Sequence, residues 1–344
     1  MTQLKVDTIT DAAGTAAPDL EDGLTINGAA LSTVNTAEYY SSGTEPSSPK
    51  NGAIWWDTAN DKVMIYVNDA WYEIQLGASA ASWVADVSNF SYDSKSFSVF
   101  SQESSPQGIA IKSDGTKMYI CGQSQDIVFQ YSLSTAYDVS TASYDSVYFS
   151  VLSQTLNPQS VKFNDDGTKM YVEGTDSVLY EYDLSTAWDV SSASYNSVNF
   201  NIGTATGTSS FQGHFWSLDG TKIYFVSTTT DYVYQVDCST AFDLSTASYN
   251  SKYFDVSSQD TSPLAVACSG DGTKFYVIGA SFDYIFQYSA STAFDVSTLS
   301  YDSSSFSISS QTSAGQDIAF STDGTKFYVM DSGTDTVYQY STGL

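Results

Sequence analysis

Apolar and polar positions repeat every 52 or 53 residues over residues 83–344 of the chain. Each repeat has four short apolar or aromatic segments, which in the first repeat are residues 108–112, 117–121, 127–132 and 147–152. An Asp-Gly turn joins the first two segments, and glycine accepts the positive φ that tight hairpins require. Four short antiparallel strands in about 50 residues are typical of one β-propeller blade. The five copies predict an all-β, five-bladed β-propeller.

Ring closure is predicted by the two ends of this repeated region. The last repeat stops after its third strand segment, residues 336–341, and therefore lacks a fourth strand. A matching segment, residues 96–100, precedes the first repeat. We expect this N-terminal strand to complete the last blade and to remove the open sheet edges of the ring. The alternative is an open stack of five units with a flat end.

Two loop types of every blade are nearly identical and are predicted to share one side of the disc, the hairpin face. They are the Asp-Gly-Thr-Lys hairpin between strands one and two, and the Ser-Thr-Ala-aromatic-Asp loop between strands three and four. The hairpin lysines are Lys117, Lys169, Lys222, Lys274 and Lys326. Their predicted partners are Asp138, Asp189, Asp243, Asp295 and Asp86. An exposed pair of this kind contributes about 0–1 kcal/mol.

The sequence ahead of the propeller divides into three parts. Residues 1–36 show no helix or strand period and are predicted to form an extended arm. Residues 37–77 are predicted to form a small three-stranded β module, and residues 78–82 a small-residue linker. The propeller then occupies residues 83–344.

The small β module is too short to bury enough apolar surface on its own. Trp55, Trp56 and Trp71 provide much of its apolar area. We therefore expect these tryptophans to pack on another chain or on the N-terminal arm, which makes the module a candidate anchor.

Charge and composition exclude several classes of function. The chain has 12 Lys and no Arg against 39 Asp and Glu, for a net charge of −27. Nucleic-acid binding needs a basic footprint, so it is not expected, and anionic membranes are disfavoured. The N-terminus lacks a signal-peptide core and no segment approaches the length of a membrane helix, which predicts synthesis in the cytoplasm without membrane insertion. The three widely spaced cysteines are expected to be inert buried thiols.

The opposite side of the disc, the variable face, carries loops that differ from blade to blade. It consists of the loops between strands two and three and the loops between blades. Binding usually lies on such loops. Phe211, His214 and Phe282 are the candidate ligand residues, with a neutral host-surface glycan as the ligand because the chain has no Arg to bind an acidic sugar. The alternative for His214, which replaces an aliphatic residue of the other blades, is a hydrogen-bonded histidine in a repacked blade.

Catalytic chemistry is not predicted. Glycosidases need two carboxylates that converge on the substrate. Asp317 is the one acidic residue found at the equivalent first-strand positions, and His214 has no evident nucleophile or metal ligand near it in the sequence. The sequence therefore predicts a non-enzymatic protein with no catalytic residue, no metal site and no cofactor.

Several motifs resemble virion fibre and appendage proteins of tailed bacteriophages, particularly marine and cyanophage-like ones. They are the LKVDTI segment at Leu4, the GLTING segment at Gly23, the Trp-rich segment from Pro49 to Trp71, and the DGTKMYV-type repeats. The resemblance implies a structural protein on the virion exterior, as a tail fibre, collar or capsid appendage. It also implies attachment to other virion proteins through residues 1–77, an outward propeller for host attachment, and a homotrimer as one assembly. The alternative is a lectin-like, glycan-binding propeller that is not attached to a virion.

Overall fold

A computed structural model of the chain describes residues 83–312 and 314–344 in full. In residues 1–82 it describes chiefly the backbone of seven short strands. The chain divides into two compact units, residues 1–80 and residues 81–344. The predicted linker 78–82 lies outside the described residues, as does most of the predicted arm.

The first unit contains a five-stranded sheet in the order β1-β7-β6-β5-β4 and a separate β2-β3 pair. Its strands are β1 (Leu4–Val6), β2 (Thr25–Ile26), β3 (Ala29–Ala30), β4 (Tyr39–Ser42), β5 (Ile54–Asp57), β6 (Lys62–Val67) and β7 (Ala70–Leu76). The three predicted strands are present as β5, β6 and β7. Two further strands, β1 and β4, join the sheet edges by parallel pairing, so the sheet has five strands and includes part of the predicted arm.

The second unit consists of five four-stranded antiparallel sheets, the blades of a five-bladed β-propeller. A closing strand, β8 (Ser91–Ser98), precedes them. Blade 1 has β9 (Pro106–Ile111), β10 (Lys117–Gly122), β11 (Ile127–Leu133) and β12 (Ala142–Ser150). Blade 2 has β13 (Pro158–Phe163), β14 (Lys169–Gly174), β15 (Val178–Leu184) and β16 (Ala193–Asn201). Blade 3 has β17 (Phe211–Trp216), β18 (Lys222–Ser227), β19 (Tyr232–Cys238) and β20 (Ala247–Asp255). Blade 4 has β21 (Pro263–Cys268), β22 (Lys274–Gly279), β23 (Tyr284–Ala290) and β24 (Leu299–Ser307). Blade 5 has β25 (Gly315–Phe320), β26 (Lys326–Asp331), β27 (Thr336–Ser341) and β8.

Helical structure is minor in the described residues. A 3-10 turn precedes the fourth strand of each blade. These turns span Val87–Asn89, Val139–Thr141, Val190–Ser192, Leu244–Thr246 and Val296–Thr298. The single α-helix found there, α1 (Ile202–Thr206), lies between blades 2 and 3. None of the helices in the described part could cross a membrane.

The ring closes as the sequence predicts. Strand β8 pairs antiparallel with β27 from Ser91 opposite Ser341 to Ser98 opposite Thr336. The segment before it, residues 83–90, forms the fifth copy of the loop that precedes a fourth strand, with Asp86 capping the 3-10 turn as its counterparts do. The N-terminal segment of the propeller thus supplies both a loop and a strand to blade 5.

Two repeated side chains link each blade to the loop before the next blade's fourth strand. We call these bonds the latches. A second-strand tyrosine hydroxyl donates to a loop carbonyl 2.5–3.2 Å away, in the pairs Tyr119–Trp188, Tyr171–Phe242, Tyr224–Phe294, Tyr276–Ala85 and Tyr328–Tyr137. A third-strand Gln or Glu oxygen accepts a loop N–H at 2.9–3.2 Å, in the pairs Gln130–Val190, Glu181–Leu244, Gln235–Val296, Gln287–Val87 and Gln339–Val139. The latches continue through blade 5 to blade 1, so they run around the whole ring.

The hydrophobic core lies between neighbouring blades rather than inside one blade. The five apolar clusters each combine side chains of two adjacent blades. Cys121, Cys238 and Cys268 are buried free thiols, as predicted, and burial raises the pKa of each. The five clusters together join neighbouring blades around the ring.

The predicted hairpin lysine partners are wrong. The lysines pair with carboxylates of strands three and four, in the pairs Lys117–Asp145, Lys169–Glu181, Lys222–Asp237, Lys274–Asp302 and Lys326–Asp93. The predicted partner aspartates instead cap the 3-10 turns by accepting a backbone N–H two residues ahead, which holds their carboxylates in the loop.

Candidate functional site

The five first strands line the central axis, and an ion pair crosses it. Lys162 of blade 2 lies 2.7 Å from the Asp317 carboxylate of blade 5, and both side chains are buried. The backbone of Ile109 in blade 1 joins them, because its carbonyl accepts from Lys162 and its N–H donates to Asp317. Asp317, the acidic residue predicted from the sequence, therefore serves as the partner of a buried lysine, and the pair joins three blades at the axis.

A second polar pair lies between blades 2 and 3. The Glu173 carboxylate and the His214 Nδ1 atom are 3.6 Å apart, and both side chains are fully buried. The equivalent positions at the other interfaces are apolar. They hold Cys121 with Val161, Val226 with Val266, Ile278 with Ile318, and Met330 with Ile109. Glu173 and His214 therefore replace an apolar contact of the core with a titratable one.

Neither member of this pair has a hydrogen-bond partner among the described residues, and the nearby Ser160 hydroxyl has none either. Burial raises the pKa of Glu173 well above its ordinary value of 4.5, and Asp317 adds to the effect. Burial also lowers the pKa of His214 well below 6.5, with Lys162 contributing. The pair consequently holds a single proton in the folded protein, and its carboxyl and imidazole are an acid and a base buried between blades 2 and 3.

That single proton sets how the pair affects stability at different pH values. Between about pH 4.5 and 6.5 the unfolded pair also holds one proton, so its contribution does not change there. Above about pH 6.5 the unfolded pair has lost this proton while the folded pair keeps it, so stability falls as pH rises. Below about pH 4.5 the unfolded pair binds a second proton that the buried pair does not, so stability falls as pH falls.

Replacing Glu173 and His214 with valine reproduces the apolar contact of the next interface. The Glu173→Val/His214→Val protein is expected to be more stable by about 1–4 kcal/mol at neutral pH, because two buried polar groups are removed together. The gain should be constant between about pH 5 and 6 and should grow towards pH 8. Chemical denaturation followed by circular dichroism at these pH values measures both effects.

The matched control is the single variant Glu173→Val, which leaves His214 buried without its carboxylate and should be less stable than the double variant. A double variant that is less stable than the parent protein at every pH would contradict this account.

The structure does not bring the three predicted ligand residues together on the variable face. Phe211 is buried and packs edge-to-face against Phe225 and Tyr234, and His214 lies in the pair described above. Both rings are closed off from solvent, Phe211 in the apolar cluster between blades 2 and 3 and His214 beside Glu173, so neither presents a face to a sugar in this structure. Phe282 is the exception, since it lies in the loop after β22 with 57% of its surface exposed.

Other apolar side chains of the variable face were missed by the sequence analysis. Phe100, Leu152 and Leu156 lie in two adjacent inter-blade loops and are 54–63% exposed. Two further inter-blade loops, those before blades 4 and 5, have the same sequence pattern. In these loops the positions equivalent to Phe100 and Leu152 hold Ser257 and Ser309. A comparison of these loops could have identified them, because only two of the four carry an apolar residue there.

Carboxylates surround these apolar positions. Asp126, Asp231, Asp283 and Asp335 occupy the same left-handed position before the third strand, with φ between 51° and 57°. Burial, together with neighbouring carboxylates, raises the pKa of Asp231, Asp283 and Asp335. The variable face therefore combines exposed apolar groups with a strongly acidic rim.

The candidate anchor tryptophans lie on two strands of the first unit's sheet, β5 and β7, which are separated by β6. Trp55 and Trp56 are in β5, where they pair in register with Met64 and Val63 of β6. Trp71 is in β7. In the described residues no group of three or more His, Cys, Asp or Glu side chains could hold a metal ion.

Comparison with known proteins adds no family assignment. No protein-family model matches the chain, and no curated protein matches it. Similar solved structures include a functionally unknown protein from Desulfotomaculum acetoxidans DSM 771, at 13% identity over 78% of this chain and 69% of that one, with a TM-score of 0.42. Another is the β-propeller domain of Myceliophteria thermophila Cps50 (Swd1), at 9% identity over 69% of this chain and 82% of that one, with a TM-score of 0.40.

A third similar structure is a Bacteroides uniformis ATCC 8492 protein described as a candidate 6-phosphogluconolactonase. It is 13% identical over 65% of this chain and 63% of that one, with a TM-score of 0.42. Similarity at this level transfers no activity. The sheets and their closure define this chain, by its own structure, as a five-bladed β-propeller protein.

Proposed function

We propose that this chain is a non-enzymatic structural protein of a phage virion that displays its propeller for attachment to the host surface. Residues 1–77 would attach it to other virion proteins, and the propeller would lie on the particle exterior. The observation that carries the attachment role is the exposure of Phe100, Leu152, Leu156 and Phe282 on the variable face. Exposed apolar groups beside polar loops on a rigid frame are typical of binding surfaces.

The path of the chain supports this orientation. Trp83, where the described propeller begins, packs over Gly324 of a hairpin, so the chain enters the propeller on the hairpin face. The variable face is therefore the side of the propeller opposite to the one on which the chain enters it. Its acidic rim disfavours anionic ligands, which supports a neutral glycan of the host surface as the partner.

The non-enzymatic part of the proposal rests on burial. Glu173, His214 and Asp317 are each at most 2% exposed, so a substrate could reach these acid and base groups only if the blades separated. Their arrangement suits a structural role at the axis. The alternative is a glycan-binding propeller that is not attached to a virion, and the fate of residues 1–77 distinguishes the two.

Substitution of two exposed side chains tests the attachment role. The Phe100→Ser/Leu152→Ser protein takes the serine found in the equivalent loops, so its fold should be retained. We expect host-cell binding by the labelled protein to fall at least about tenfold, because apolar area that a partner would cover is lost. Flow cytometry with cells of the phage host measures the binding.

Val84→Ser is the matched control, because Val84 is an exposed apolar residue outside the variable face and should leave binding unchanged. Equal binding by the double variant and the parent protein would refute the attachment role. For the virion role, mass spectrometry of purified particles should find the full chain and should not find a protein that lacks residues 1–77. Cell binding without any incorporation of the full chain would favour the free lectin.

A further inference from the structure

The Lys162–Asp317 ion pair holds an amine and a carboxyl group together out of water. Its side chains are 10% and 2% exposed, and the Nζ and Oδ2 atoms are 2.7 Å apart. The other paired lysines in the described part of the chain are 22–38% exposed. The ammonium also donates to the Ile109 carbonyl at 2.8 Å, which fixes its position. The two groups are therefore close enough to react with each other.

Each member of the pair is an exception at its position in the repeat. The position of Lys162 otherwise holds Ala110, Phe215, Ala267 and Ala319. The position of Asp317 otherwise holds Gly108, Ser160, Gly213 and Ala265. A buried ion pair is often no more stabilising than apolar side chains of similar volume. The packing of the repeat alone therefore does not account for the pair.

Backbone donors hold both oxygens of the Asp317 carboxyl group. The Ile318 N–H donates to Oδ1 at 2.8 Å, and the Ile109 N–H donates to Oδ2 at 2.9 Å. Fixed N–H donors stabilise the oxyanion that forms when a nucleophile adds to a carboxyl carbon. The carboxyl group of Asp317 is thus arranged to accept attack by the Lys162 amine.

Glu173 places a second carboxyl group beside the pair. It is opposite Ser160 of β13, and Lys162 is two residues further along that strand, so Glu173 and Lys162 project from the same face of blade 2. Burial and the charges of Asp317 and Asp176 raise the pKa of Glu173, whereas the Lys162 ammonium opposes them. Both ends of the ion pair are therefore within electrostatic reach of Glu173. A buried carboxyl group of this kind can give a proton to one group and take one from another.

A cavity of about 130 Å³ at the hairpin-face end of the first strands connects Lys162 with the surface. Buried Lys162 forms part of its wall, and so do Ser113 and Asp165, which are exposed. The wall also contains polar side chains of Ser217 and Thr322. A water molecule released beside Lys162 therefore has a path out of the core.

We propose that Lys162 and Asp317 condense in the folded protein to form an isopeptide bond between blades 2 and 5, with Glu173 as the proton carrier. A proton first passes from the ammonium to the carboxylate, which leaves an amine and a carboxyl group. The amine nitrogen then adds to the Asp317 carboxyl carbon and forms the C–N bond. The C–O bond breaks as Glu173 transfers a second proton from the nitrogen to the hydroxyl group, which leaves as water. An ammonium and a carboxylate thus give one neutral amide and one water, without an oxidant or a co-reactant.

The buried setting favours the condensed product. Both charges of the ion pair carry a desolvation cost that the neutral amide does not. Groups held in a reactive orientation reach effective concentrations of about 10⁵–10⁸ M, which free amines and carboxylates never do. Until the bond forms, the ion pair holds the three blades together, and variants of Lys162 are compared with that uncondensed form. The bond goes beyond the attachment role and does not depend on it.

The mass of the full-length protein, measured after denaturation, tests the proposal. Condensation releases one water, so we expect a species about 18 Da lighter than the sequence mass. Its fraction should grow while folded protein is incubated at about pH 8, because the amine must lose a proton before it attacks. Trypsin should then release one branched peptide that joins residues 118–169 to residues 275–326, since a condensed Lys162 is not cleaved.

Variants assign the bond to its residues. Lys162→Arg keeps the positive charge but has no amine, and Asp317→Ala has no carboxyl group, so neither should give the lighter species. Glu173→Gln should slow its formation at least about tenfold. Lys222→Arg is the matched control, because Lys222 lies 3.0 Å from Asp237 in a partly exposed pair and should leave condensation unchanged. Should Lys162→Arg fail to fold, the branched peptide of the parent protein still decides the matter.

Four results would overturn the proposal or its mechanism. One is a protein that keeps the full sequence mass after prolonged incubation. Another is a lighter species that Lys162→Arg and Asp317→Ala both retain. The third is loss of water at an Asp-Gly turn such as Asp114-Gly115, which gives a succinimide in an unbranched peptide. An unchanged rate in Glu173→Gln would refute the role of Glu173.

Discussion

Deleting residues 83–98 together with everything before them is expected to unfold or aggregate the propeller. The deletion removes β8, the outer strand of blade 5, and so exposes the edge of β27 that β8 covers. It also removes the backbone partners of Tyr276 and Gln287 in the latches, and Trp83 over Gly324. Thermal unfolding followed by circular dichroism, together with gel filtration, measures the loss.

The control for this deletion is a protein that begins at Ala81 and keeps the complete second unit. It should elute as a compact species and melt cooperatively. A melting temperature that is the same with and without residues 83–98 would show that β8 does not close the ring.

Lys162→Met is expected to lower the free energy of unfolding by about 3–5 kcal/mol. The change removes the only charged partner that the described residues offer to the Asp317 carboxylate, and a buried charge without its partner is strongly destabilising. Urea denaturation at neutral pH measures the change. The matched control is Lys222→Met, which breaks the partly exposed pair with Asp237 and should cost about 0–1 kcal/mol.

The double variant Lys162→Met/Asp317→Ala should recover most of that loss, because it leaves no charge in the axis and gives Asp317 the alanine found at the same position in blade 4. Equal costs for Lys162→Met and Lys222→Met would contradict a structural role for the axial ion pair.

The propeller fold could be predicted from the sequence because each blade repeats the same local signals. The turn glycines, the strand lengths and the missing fourth strand all follow from the 52- or 53-residue period. The strands β1 and β4 could not be predicted from the sequence. Each has only three or four residues, too few for a strand period, and each is defined by parallel pairing with a distant segment.

The axial polar groups were only partly predictable, because the search for carboxylates was confined to the first strand. Asp317 lies there, but Glu173 lies on the second strand and was missed. The aligned repeats contain the signal: the column of Glu173 otherwise holds Cys121, Val226, Ile278 and Met330. Glu173 is the one acid at a repeat position that is otherwise apolar, and His214 is the one histidine at another such position. These two exceptions at positions that face each other between blades predict a contact between them. An alignment of the repeats cannot, however, predict that the side chains of Glu173 and His214 are both closed off from solvent.

The lysine partners show a second signal that the sequence contains. Three blades have an aspartate in the Ser-Tyr-Asp-Ser motif of the fourth strand, and the hairpin lysine pairs with it. Blades 2 and 3 have Asn196 and Asn250 there, and the carboxylate instead comes from the third strand as Glu181 or Asp237. The charge is thus conserved within each blade although its position changes, because the partly buried lysine needs one carboxylate nearby.

The latch on residues 83–90 has a mechanical consequence. Tyr276 and Gln287 of blade 4 hold Ala85 and Val87, which come before the closing strand in the chain. Tension applied to the N-terminal segment would therefore reach blade 4 before it reached the β8–β27 ladder. The load would be divided between blades 4 and 5. The hydrogen bonds between β8 and β27 would therefore not break one after another from the N-terminal end of β8.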